Sequence, residues 1–73
     1  MRLDLKAYRI QHGYTQEELA KALGVSQQTV SSWESRSQDP RLSNLKKMAE
    51  LFETDLNVIF SLFNTTKVVK NER

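Results

Sequence analysis

The sequence predicts an all-α fold, a compact domain of five short helices, and three observations carry that prediction. Apolar residues recur every three to four positions in successive segments, the spacing of one helix face. Gly13 and Gly24 stand where helices stop, and Thr15 and Ser26 where the next ones start. The chain has 73 residues and no cysteine, so a single core must hold by apolar packing alone, near the lower size limit for an unstapled domain.

The first helix spans about Leu3 to His12, with Leu5, Tyr8 and Ile10 facing inward and Gly13 ending it. Thr15-Gln-Glu-Glu18 is a capping box, a hydroxyl at the N-cap and a carboxylate three residues on. Glu17 and Glu18 also match the positive end of the helix dipole. Leu19, Ala20 and Leu23 make the apolar stripe of this second helix, and Gly24 stops it because glycine enters the left-handed conformation without steric cost. Val25 folds back under the turn and Ser26 caps a third helix. The stretch from Gln16 to Ser35 is therefore two helices joined by a tight turn, a helix-turn-helix, and the rest of the chain supports its second half.

The third helix buries Val30 and Trp33, whose register makes Trp33 a core residue rather than a base-stacking platform. Ser35 to Pro40 is a polar loop, and Pro40 biases Asp39 away from the helical region. A fourth helix starts at Arg41 or Leu42 and carries Leu42, Leu45, Met48, Ala49 and Phe52 at helical spacing. Asp55 caps a fifth, Leu56 to about Phe63. That helix is apolar on more than one face, which assigns Leu56, Ile59, Phe60 and Phe63 to an interface between two copies of the chain. The plainer alternative is that a small domain uses all of them internally. Residues 1–63 thus form the domain, and residues 64–73 a basic tail, either flexible or a β-branched strand across a dimer.

The outer face of the third helix points to function. It presents Gln27, Gln28, Ser31 and Ser32 where a solvated face ordinarily carries Glu, Lys and Arg, the stronger helix formers. Short hydrogen-bonding groups suit base edges in a DNA major groove, where glutamine pairs with adenine N6 and N7 and serine meets either kind of group. Net charge contributes little to this reading. Of the formal +2, residues 1–63 hold eight basic and eight acidic side chains, and the excess lies in the tail. Arrangement matters more than total: between Ser26 and Lys47, Arg36, Arg41, Lys46 and Lys47 outnumber Glu34 and Asp39.

With these residues in place, the chain resembles the helix-turn-helix proteins of the phage repressor and Cro type, the Xre family. The resemblance runs from about Leu5 to Phe60 and rests on Thr15-Gln-Glu-Glu-Leu-Ala20, Gly24-Val-Ser, Val30, Trp33-Glu34, Pro40, Leu45, Met48-Ala49 and Phe52. It implies a repressor-like DNA-binding domain whose third helix enters the major groove, and it carries base reading to Ser26, Gln27, Gln28 and Ser32, with Ser31 on the same surface. It implies a phosphate contact for Gln16 at a helix N-terminus and backbone contacts for Arg36, Gln38 and Arg41. It also implies a partly buried ion pair between Arg9 and Glu34, tying the first helix to the end of the third. The chain departs from the family where glycine is usual after the Trp-Glu and after the fourth helix, having Arg36 and Glu53 instead. Either backbone then takes a strained conformation or follows another path.

No enzymatic constellation assembles. His12 is the only histidine and sits at a helix end beside Gly13, the carboxylates are scattered as caps and surface groups, and neither glycine belongs to a phosphate loop. No metal or cofactor is expected. The reading is a sequence-specific regulator of transcription that binds double-stranded DNA as a homodimer and represses by occupying its operator. The rival is an antitoxin or regulatory subunit that uses the same scaffold mainly to hold a protein partner. With no apolar run approaching the ~20 residues that span a membrane, the expected location is the cytoplasm.

Overall fold

The computed structural model describes residues 4–63, and the tail assigned to residues 64–73 lies outside them. Five helices follow in order: α1 (Leu5–Gln11), α2 (Gln16–Leu23), α3 (Gln27–Glu34), α4 (Leu42–Leu51) and α5 (Leu56–Leu62). There is no strand among the described residues.

Local chemistry sets most of the boundaries. Asp4 starts α1, its carboxylate accepting from Ala7 N–H at 3.0 Å. Both halves of the Thr15 capping box are present, Glu18 N–H to Thr15 Oγ1 and Thr15 N–H to Glu18 Oε1, each at 3.0 Å. Gly24 closes α2 in the left-handed region (φ 76°), which lets Val25 N–H reach back to Ala20 O at 3.0 Å. Ser26 then caps α3 by accepting from Thr29 N–H at 3.1 Å. Asp55 stands at the N-cap of α5, but its side chain accepts no capping hydrogen bond there, so that helix starts without the cap its sequence suggests.

The helices wrap one core. Leu5 and Tyr8 from α1, Leu19, Ala20 and Leu23 from α2, Val30 and Trp33 from α3, Met48 and Ala49 from α4, then Phe52, Ile59 and Leu62, are all buried. α2 packs on α3 and α4, α1 on α3, and α4 on α5. Tyr8, His12 and Tyr14 gather round the Phe52 ring with centroids at 5.0, 4.9 and 5.7 Å from it, closing the end of the core beside the α1–α2 turn. His12 Nδ1 lies 2.9 Å from Tyr8 O, at the C-terminal end of α1.

Three apolar positions fall elsewhere than their spacing suggests. Ile10 is 56% exposed, because the inward face of α1 is already filled by Leu5, Tyr8 and the buried stem of Arg9. Leu42 is 52% exposed, being the first residue of α4 and not yet over the core. Ile59 is fully buried within its own chain. It therefore offers no surface to a second copy; of the half-buried residues here, Leu56, Val58 and Phe63, the last just past the end of α5, pack against this same core, and Phe60 does not. Arg36 and Glu53, standing where glycine is usual, both adopt left-handed backbone, with φ of 67° and 54°. The chain accepts the strain rather than rerouting the loops.

Candidate nucleic-acid interface

The short turn Gly24-Val25-Ser26 holds α3 against α2 and turns its outer face to solvent. Val30 and Trp33 anchor that helix, at 0% and 2% exposure, while Gln27, Gln28 and Ser31 are exposed and Ser32 half-exposed. No large apolar or charged side chain interrupts the row. Ser26 is less free than its neighbours, since its hydroxyl accepts from Thr29 N–H and lies 2.9 Å from Thr29 Oγ1.

The loop after α3 is tied to that helix by its own serines. Ser32 O accepts from Ser37 N–H at 3.0 Å, from Ser35 Oγ at 3.2 Å and from Ser37 Oγ at 3.3 Å. This folding back brings Gln38 to a shallow hollow shared with Ser26, Gln28, Thr29 and Ser32. Thr29 is the residue there that sequence reasoning passed over, and its signal was modest: a hydroxyl one position beyond the glutamine pair. Arg36 and Arg41 are exposed, and neither side chain makes a hydrogen bond to the protein among the described residues. Lys47 differs. Its Nζ donates to Leu23 O at 3.3 Å, capping the C-terminus of α2 and taking it out of the free basic surface.

On the other side of α3 an open groove runs between the start of α2 and Gln27, lined by Arg9, Ile10, Gly13, Tyr14, Thr15, Gln16, Glu17 and Gln27. A line of polar contacts crosses beneath it. Arg9 Nε donates to Glu34 Oε2 at 2.6 Å and Arg9 Nη1 to Tyr14 O at 2.8 Å. Glu34 Oε1 accepts from Gln16 Nε2 at 2.9 Å and, more weakly, from Arg9 Nη2 at 3.4 Å. Gln27 Nε2 lies 3.4 Å from Gln16 Oε1, a long hydrogen bond. The ion pair thus fixes the α1–α2 turn, the end of α3 and the side chain at the start of α2 at once.

Chemically, this surface is a row of neutral donors and acceptors flanked by exposed arginines. Among the described residues no group of histidine, cysteine, aspartate and glutamate is arranged to hold a metal ion, and no helix is long and apolar enough to cross a membrane.

Comparison with known proteins agrees with this geometry. Residues 5–59 match the helix-turn-helix family model. The chain is 45% identical over 60 residues to an uncharacterized HTH-type transcriptional regulator of Methanocaldococcus jannaschii, covering 82% of this chain and 91% of that protein. It is 35% identical over 60 residues to another from Archaeoglobus fulgidus, covering 82% of this chain and 86% of that one. It is 33% identical over 54 residues to the antitoxin HipB of Escherichia coli K12, 74% of this chain but 61% of that protein. No solved structure matches the chain at comparable significance.

Proposed function

The chain belongs to the helix-turn-helix family of DNA-binding transcriptional regulators, and from that premise we propose that it is a sequence-specific repressor that reads the major groove with α3 and acts by occupying its operator. The observation that carries the proposal is the outer face of α3, where Gln27, Gln28 and Ser31 are open to solvent and Ser32 half so, while Val30 and Trp33 hold the helix from behind. Such groups supply the paired donors and acceptors that base edges require. Ser26 contributes from the N-cap, and Gln16 supplies a donor to a phosphate beside the start of α2. Arg36, Gln38 and Arg41 meet the sugar-phosphate backbone on the far side, positioning the helix without reading sequence.

The active form is a homodimer built on α5, with Leu56, Phe60 and Phe63 covered by a second copy. Two such domains fit a pseudo-palindrome whose half-sites lie about one helical turn apart, roughly 34 Å. The family is one of DNA-binding regulators, not of enzymes.

A second reading is favoured by the relatives named as antitoxins. In it, the same scaffold serves chiefly to hold a protein, with the half-covered apolar side of α5 as the docking surface.

Selection from random duplex DNA at ~150 mM salt, where binding through phosphates alone is weakened, decides between them. Wild type is expected to enrich a symmetric site, and Gln27→Ala with Gln28→Ala to lose it at a cost of ~1–3 kcal/mol per bidentate contact while remaining folded. A folded wild type that enriches no site overturns the regulator reading in favour of the protein-binding one.

A further inference from the structure

We propose that Glu34, which is too buried to touch DNA, is a positioning residue that sets which end of the Gln16 and Gln27 amides faces the nucleic acid. The inference rests on the regulator reading above and adds to it a residue that the reading surface does not contain.

The argument begins with what a carboxylate can do. Ionised Glu34 only accepts hydrogen bonds, and its side chain is held in place with 7% exposure by Arg9 Nε at 2.6 Å. A glutamine amide is nearly symmetric in shape, and the network around it decides which end is oxygen and which nitrogen. At 2.9 Å from Glu34 Oε1, Gln16 must present Nε2. Its Oε1 then faces Gln27, whose Nε2 lies 3.4 Å away. One fixed acceptor therefore sets the direction of two amides in sequence.

Both consequences favour a nucleic acid. Gln16 keeps one N–H on Nε2, the donor a phosphate oxygen needs, whereas the flipped amide would turn its oxygen toward an anion. Gln27, with one N–H turned inward, is left with Oε1 and its second N–H, the acceptor and donor that an adenine edge takes. Arg9 completes the device. It balances the Glu34 charge, so that a phosphate at Gln16 does not face an unpaired carboxylate, and its bond to Tyr14 O at 2.8 Å holds the backbone that leads into α2.

The test is a double-mutant cycle on the duplex that wild type prefers, with Glu34→Gln, Gln16→Ala and the combination, each confirmed folded by circular dichroism. Glu34→Gln keeps the shape but offers Gln16 an amide that can turn either way. Each single change is expected to weaken binding about tenfold, the effect of one charge-assisted hydrogen bond, and the pair to bind no more weakly than Gln16→Ala alone. Losses that multiply in the pair overturn the proposal, because a merely structural Glu34 acts whether or not Gln16 is present. Where Glu34→Gln does not fold, Glu34→Asp takes its place, leaving Arg9 a carboxylate but withdrawing it from Gln16. A second readout needs no DNA: the side-chain amide signals of Gln16 and Gln27 in the nuclear magnetic resonance spectrum are expected to move together in the Glu34 variant. Unmoved signals overturn the proposal even if the regulator reading stands, and moved signals uphold the relay even if no duplex is preferred.

Discussion

Arg9 Nε lies 2.6 Å from Glu34 Oε2, and the two side chains keep only 8% and 7% of their surface exposed, although 25 positions separate them in sequence. A pair this dry adds little net stability by itself, since both groups give up their hydration to meet. Removing one partner is another matter. Glu34→Ala leaves a guanidinium in the interior with Tyr14 O as its remaining strong partner, and the expected loss is about 3–5 kcal/mol. Glu53→Ala, at an exposed position, is expected to stay within about 0.5 kcal/mol of wild type. Urea melts of the two variants make the comparison, and equal midpoints would mean that water reaches Arg9 freely.

The elements legible in the sequence are those whose chemistry is local. Thr15 and Glu18 cap each other across a single turn, Gly24 needs only its own missing side chain, and Val30 and Trp33 share a face by spacing alone. What spacing could not supply was competition for the same interior. Ile10 has a plausible register on α1, yet Arg9 takes the inward direction because Glu34 waits there, and Ile10 is left in solvent. Ile59 was legible as apolar but not as wholly internal, because the depth of its site is set by how α4 and α5 close on each other. The α3 face was legible from Gln27 to Ser32. The connection from Glu34 through Gln16 to Gln27 was not, since it leaves α3 for α2 and returns, and no two of its members lie within one turn in sequence.

Glu53 carries a backbone φ of 54° at the end of α4, a conformation that costs a residue with a Cβ about 1–2 kcal/mol. Glycine there removes that strain but loses some of the gain to the greater freedom of the unfolded chain, about 0.5–1 kcal/mol. Glu53→Gly is accordingly expected to stabilise the domain by about 0.5–1 kcal/mol, a rise of a few degrees in Tm. Because Glu53 sits just past the end of α4, beside Ala49, Glu50, Thr54 and Asp55 and outside the positions proposed to meet DNA, DNA affinity at fixed salt is expected to stay as in wild type. A lower Tm would mean that the Glu53 side chain contributes a contact worth more than the strain it brings.

Arg36 combines the same strain with a second role, and the two make opposite demands on one position. Its φ of 67° predicts that Arg36→Gly also stabilises the fold by about 0.5–1 kcal/mol. Its exposed guanidinium, in the loop that Ser32 O holds against α3, is proposed to meet a phosphate. Losing one phosphate contact reduces the slope of log affinity against log salt by about 0.9. Arg36→Gly is therefore expected to melt higher and bind more weakly, with the preferred site unchanged because a phosphate carries no sequence. Arg41→Ala separates the two effects: its backbone is ordinary extended chain at the N-cap of α4, with φ of −78°, so the slope is expected to fall equally with no gain in Tm. Titrations of the preferred duplex at several salt concentrations, beside thermal melts, measure both quantities on the same samples. An unchanged slope in Arg36→Gly would turn its side chain away from the DNA and leave the backbone contacts on this side to Gln38 and Arg41.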